Sequence, residues 1–219
     1  MNKPLVSICC LTYNHEPYIK ECIEGFLMQK TNFSFEVLIH DDASIDNTAN
    51  IIRSYEKKYP DIIKPIYQTE NQFSKGVRVT LVFQFPRAQG KYIALCEGDD
   101  YWIDPYKLQK QVDFLESNPE IVMTFGNAYI IDHTGNYRKQ GLYFNEAYPK
   151  IYTPEMVIGL GMPTLTIVFR NSNLIFPEWF FKTMSGDFFL RLLFLLLPAL
   201  VWFSFFYSSD LIKDFRKKP

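Results

Sequence analysis

Short apolar runs alternate with amphipathic stretches from residue 5 to about residue 132 of this chain. "LVSICCL" (5–11) is compact and apolar, which predicts a buried strand. After the break "TYNHEP", the apolar positions Ile19, Cys22, Ile23, Phe26 and Leu27 recur at helical spacing, and Pro17 suits a first helical turn. "FEVLIH" (35–40) predicts a second strand that stops abruptly at "DDASIDNT". Asp46 then suits the N-cap of a helix carrying Ile51, Ile52 and Tyr55, which ends before Pro60. "IIKPIY" (62–67) predicts a strand near a sheet edge, because Pro65 lacks a ladder donor. Residues 77–85, "VRVTLVFQF", alternate like a strand but fall where a crossover helix belongs, and are assigned as helix. "KYIALC" (91–96) predicts another buried strand. "DPYKLQKQVDFLES" (104–117) is an amphipathic helix with Asp104 as cap and Pro105 at its first position. "IVMTF", "NAYIID" and "TLTIVF" (164–169) read as further strands, and "TPEMVIGLG" as a short helix.

Strand–helix–strand repetition predicts a mostly parallel α/β sheet with right-handed crossovers. Ligands of such sheets bind beyond the carboxyl ends of the strands. Three polar clusters fall at such ends: "TYN" after the first strand, "DDAS" after the second and "EGDDYW" after the fourth. The pattern therefore predicts one acidic, polar cleft built from strand termini.

Composition narrows the ligand. The 219 residues suit one large domain, or one domain with an appendage, and carry a formal net charge of −1, so no global field draws the chain to nucleic acid. Cys9, Cys10, Cys22 and Cys96 lack C-x-x-C spacing, and two are adjacent in an apolar run. They read as reduced, buried thiols of an intracellular protein, and no signal peptide is expected at the N-terminus.

The chemistry concentrates in "ALCEGDDYW" (94–102). Glu97, Asp99 and Asp100 sit within four positions and repel one another unless something positive joins them. A phosphate loop rich in glycine and lysine is missing, as is G-x-G-x-x-G, which disfavours P-loop nucleotidases, dinucleotide-dependent dehydrogenases and sugar-nucleotide-forming nucleotidyltransferases. Oxygen ligands suit a hard cation, Mn²⁺ or Mg²⁺, that binds phosphate oxygens as well. The competing reading is a solvated turn with helix-capping acids; its place after a buried strand, with a second DD at another strand end, argues against that.

"VSICCLTYNHEPYIKECIEGFLMQ", "FEVLIHDDASIDNT" and "GKYIALCEGDDYWIDPYKLQKQV" resemble, in order and spacing, the successive motifs of family 2 glycosyltransferases with the GT-A fold, from residue 4 to about 187. The resemblance implies a Rossmann-like, mostly parallel sheet flanked by helices over 1–187, and an enzyme dependent on a nucleotide diphosphate sugar, most often inverting. By position it implies that Thr12, Tyr13 and Asn14 lie along the base and ribose. Asp42 would accept a hydrogen bond from the base, with Asp41 supporting its loop. Glu97 stands where the family more often has Asp, Asp99 and Asp100 fall on the ribose and metal positions, and Trp102 with Tyr101 walls the sugar side. Asp187, in "SGDFFLRLL", takes the place of the catalytic base that accepts the acceptor's proton. The implied partners are a nucleotide diphosphate sugar, UDP-linked by expectation, and a hydroxyl acceptor on a polysaccharide or lipid-linked glycan.

The chain departs from the family at its end. "FFLRLLFLLLPALVWFSFFY" (188–207) is nearly all apolar, and the family's basic diphosphate-holding segment does not follow Asp187. Residues 188–219 therefore read as a helical apolar tail that associates with a membrane surface, packs as a core helix, or is an aberrant end. The expected location is cytoplasmic, at the inner face of a membrane if the tail dips into it. The rival function is a catalytically impaired, membrane-associated nucleotide-sugar-binding protein.

Overall fold

A computed structural model of the chain describes residues 3–132, 136–142, 151–152, 162–171, 202–206 and 211–214. Three helices and twelve strands are assigned in it. The strands β1 (Val6–Thr12), β2 (Phe35–Asp41), β3 (Ile63–Tyr67) and β4 (Tyr92–Glu97) alternate with helices α1 (Ile19–Leu27) and α2 (Thr48–Lys58). After β4 come β5 (Tyr101–Trp102), α3 (Lys107–Ser117), β6 (Ile121–Gly126), β7 (Tyr129–Ile131), β8 (Tyr137–Leu142), β9 (Ile151–Tyr152), β10 (Val168–Arg170), β11 (Trp202–Phe206) and β12 (Leu211–Asp214). The main sheet runs β3-β2-β1-β4-β10-β6-β11-β9, and a smaller one runs β5-β12-β7-β8. The block β3-β2-β1-β4 is parallel, and β10 is inserted antiparallel to both β4 and β6.

Period-two alternation divides the core between the two faces of the sheet. Val6, Ile8 and Cys10 of β1 join Ile19, Cys22, Ile23 and Phe26 of α1, Ile52 of α2 and Leu108, Val112 and Leu115 of α3. Cys9 points the other way, into a second cluster with Leu38, Ile93, Leu95, Phe125 and Phe169. All four cysteines are free and buried, as their apolar setting predicts. Gly25 lets α1 settle directly on β5: a Cβ there would stand 2.8 Å from the Trp102 carbonyl oxygen and 2.9 Å from its nitrogen.

Most of the expected elements are present, with differences at their ends. The crossover between β3 and β4 is helical, as one π-helical turn over Thr80–Gln84 followed by a 3-10 turn over Phe85–Arg87. Asp46 caps α2 from just outside it, through its Oδ1 on the Thr48 amide at 2.9 Å. Asp104 caps the Tyr106 amide at 2.9 Å, and α3 begins at Lys107. "TLTIVF" is not one strand: Thr164–Thr166 is a 3-10 turn whose hydroxyl and amide from Thr166 bond back to Pro163, and pairing starts at Val168. The tail is described in two stretches, β11, which pairs with β6 in the main sheet, and β12, which pairs with β7 in the smaller one. "TPEMVIGLG" lies outside the described residues.

Candidate functional site

Parallel pairing puts the exits of β1, β2 and β4 side by side. Thr12 is in register with Asp41, and Leu11 with both His40 and Glu97. The three polar clusters therefore meet at one edge, as the strand-end argument predicts. Hydrogen bonds then tie the loops to one another. The Asn14 amide donates to Ser44 Oγ at 2.9 Å, and the Ile45 amide donates to Asn14 Oδ1 at 2.8 Å. The Glu16 amide donates to Asp46 Oδ2 at 3.0 Å, and Asn47 returns a bond to Glu16 Oε2 at 3.0 Å. The Gly98 amide donates to the Leu11 carbonyl at 2.9 Å. Asn14 and Ala43 hold left-handed backbone, at φ 54° and 63°. Such strain in non-glycine residues collects at functional loops.

The paired acids have divided roles. Asp42 is fully buried and accepts two backbone amides, Gln72 to Oδ1 at 2.8 Å and Phe73 to Oδ2 at 2.9 Å. His40 Nε2 lies 3.6 Å from the same Oδ1. Asp42 thus anchors the 70–76 turn from beneath. Asp41 accepts the Ser44 hydroxyl and, at 3.4 Å, the Ser44 amide. Burial pushes the Asp41 carboxyl up, and the Ser44 bonds offset this only in part. The neighbouring His40 is pulled down by burial, against the attraction of Asp42.

The "EGDD" segment divides in the same way. Glu97 is half-buried at the end of β4, and the Asp100 amide closes a tight turn onto its carbonyl at 3.0 Å. Asp99 is presented at the lip with a third of its side chain exposed, and its Oδ2 stands 3.8 Å from His15 Nε2. Asp100 is 1% exposed, behind the turn, so the metal position expected of both aspartates is presented to solvent by Asp99 alone. Trp102 is also 1% exposed. Its indole donates to the Leu165 carbonyl at 2.7 Å and packs edge-on to Phe26, with ring centroids 4.8 Å apart. It is a core residue between α1 and α3. Tyr13, 40% exposed, stands open at the rim. Lys107 is buried in the core: its Nζ sits 4.1 Å from the Trp102 ring centroid and donates to Gln111 Oε1 at 2.7 Å. Burial pulls Lys107 down to about 7. No grouping of three or more His, Cys, Asp or Glu side chains suited to a metal forms among the described residues.

The sequence model of the family described as "Glycosyl transferase family 2" matches residues 7–176. The chain belongs to glycosyl transferase family 2. Among curated relatives, an uncharacterised protein of Mycobacterium tuberculosis is 44% identical over 130 residues, covering 59% of this chain and 37% of its own length. A putative teichuronic acid biosynthesis glycosyltransferase of Bacillus subtilis, TuaG, is 37% identical over 113 residues, covering 52% of this chain and 42% of its own. TarS of S. aureus in complex with UDP shares the fold at TM-score 0.70 and 21% identity, over 96% of this chain and 60% of that one. The mannosyltransferase PcManGT of Pyrobaculum calidifontis, in complex with GDP-Man and Mn²⁺, superposes at TM-score 0.67 and 16% identity, over 97% of this chain and 57% of that one. The chain thus spans less than two thirds of the length of each of these. The GT-A architecture expected from the motifs is the one observed.

Within this family 2 domain, Ser44 and the 70–76 turn are the parts that motif reading passes over. Ser44 had a legible signal, since an Asp followed three residues later by Ser is a side-chain-to-backbone turn pattern. The turn had none, because its anchor Asp42 is thirty positions away. Asp187 lies outside both the described residues and the matched stretch. Among the described residues, no helix is long and apolar enough to cross a membrane.

Proposed function

We propose that this domain binds a nucleotide diphosphate sugar across the ends of β1, β2 and β4 and transfers the sugar, with inversion, to a hydroxyl of a polysaccharide or lipid-linked glycan. The observation that carries the reading is the convergence of Tyr13–Asn14, Asp41 and Glu97–Asp99 on one strand-end edge, braced by the Asn14–Ser44 and Gly98–Leu11 bonds. UDP in TarS and the teichuronic acid name of TuaG favour a UDP-linked donor and an envelope-polymer acceptor.

In this reading Tyr13, exposed beside Asn14, covers the base, and Asp41 accepts from it. Thr12 floors the pocket, and Glu97 faces the ribose. Asp99 would hold Mn²⁺ or Mg²⁺ together with diphosphate oxygens of the donor. That donor set of carboxylate and phosphate oxygens fits a hard ion. When bound, the ion neutralises charge that develops on the departing diphosphate. Asp187 is proposed as the base. Its carboxylate takes the acceptor hydroxyl proton while the acceptor oxygen bonds to the anomeric carbon and the bond from that carbon to the diphosphate oxygen breaks, inverting the centre.

Calorimetry of the chain with UDP, GDP and dTDP, with and without Mn²⁺, tests the binding step. Metal-dependent binding of one nucleotide is expected, and no binding of any would sink the proposal. Loss of at least about a hundredfold in transfer rate in Asp187→Asn, with UDP affinity kept, is expected of the base. Unchanged transfer would remove Asp187 from that role.

A further inference from the structure

The exit loop of β1 carries an imidazole that the strand-end reading leaves without work. We propose that His15 is a direct ligand of the divalent ion, sharing it with Asp99, an inference that rests on the nucleotide-binding reading above.

Two observations converge. First, His15 Nε2 and Asp99 Oδ2 stand 3.8 Å apart with both side chains partly exposed, at 21% and 33%. Two adjacent ligands of an octahedral ion with bonds of about 2.1 Å lie about 3.0 Å apart, so a closure of roughly 0.8 Å makes the pair a metal clamp. Second, the ring is aimed. A Cβ built on Gly98 would stand 2.9 Å from His15 Nδ1 and 2.6 Å from Thr12 Oγ1. The Nδ1 edge therefore abuts the glycine of the acidic turn, which leaves Nε2 to face Asp99.

The donor set has a chemical consequence. Imidazole suits transition metals far better than Mg²⁺, which prefers oxygen and holds its waters. His15 thus tilts the site toward Mn²⁺, while Asp99 and the diphosphate accept either ion. A second ligand from the β1 loop also links metal binding to the same loop that bears Tyr13 and Asn14.

Mn²⁺ with UDP, bound to the full chain and read by pulsed electron paramagnetic resonance, tests this directly, because a coordinated imidazole nitrogen couples to the manganese spin. Nitrogen coupling is expected in the unmodified chain and absent in His15→Ala and His15→Gln, the second retaining a polar side chain should alanine fail to fold. Mn²⁺-supported UDP affinity is expected to fall about tenfold in both variants, while Mg²⁺-supported affinity stays within about twofold. UDP and Mn²⁺ binding without nitrogen coupling, or coupling that survives both substitutions, would reduce the pair to an ordinary ion pair and overturn the inference while leaving the nucleotide reading intact. A chain that binds none of UDP, GDP and dTDP with either metal fails both.

Discussion

Asp41 and Ala43 show the cost of building the β2 exit. Asp41 is 2% exposed and burial raises its pKa, so the folded state holds its proton more tightly than the unfolded chain does. Stability from such a group is present at low pH and is lost as pH rises through the folded-state value. Asp41→Asn is therefore expected to melt above the unmodified chain at pH 7, with the gap closing as pH falls below the carboxylate range, while metal-supported UDP binding weakens. Thermal melts across pH check the sign. Ala43, at φ 63°, pays for a left-handed backbone that glycine adopts freely. Ala43→Gly should gain about 0.5–1 kcal/mol by urea denaturation, since relief of strain exceeds the added freedom of the unfolded chain. At this scale sequence is least legible. Asp41 and Asp42 are chemically identical neighbours, and only the return of residues 72 and 73 over the strand end decides which is buried under a turn. Asp99 and Asp100 differ for the same reason, because one faces the lip and the other the interior.

Elements were easier to read than their contacts. Buried strands and amphipathic helices announce themselves by periodicity, and each strand exit by an abrupt polar break, so the sheet and the shared edge of its polar exits follow from local pattern. Trp102 does not. Beside an acidic cluster it resembles a sugar platform, but α1 and α3 close over it, and that packing is set by Gly25, far away in sequence. Helix propensity alone says Gly25→Ala gains about 1 kcal/mol. The Cβ contacts of 2.8 and 2.9 Å to the Trp102 backbone reverse that sign, and a loss of about 1–3 kcal/mol is expected in urea titrations. The turn anchored by Asp42 makes a second case. Asp42→Asn keeps the shape but offers one acceptor oxygen to two amides, so a loss of about 2 kcal/mol is expected, with faster hydrogen exchange at Gln72 and Phe73.

Across the molecule, the core beside Trp102 contains the amine of Lys107. Burial takes this amine from 10.5 to about 7. Between those values the unfolded chain holds more protons, so stability rises with pH over that interval. Lys107→Met should flatten the rise, and chemical denaturation at pH 7, 8 and 9 compares the slopes. The order β3-β2-β1-β4 carries a further consequence for synthesis. β1, earliest of the described strands, is an inner strand whose second neighbour arrives only with Tyr92–Glu97. Until that segment leaves the ribosome, the nascent chain exposes one flank of "VSICCLT", a bare apolar template for pairing with other chains. Fragments ending before residue 90 are thus expected to aggregate, because the parallel block β3-β2-β1-β4 closes only when β4 docks.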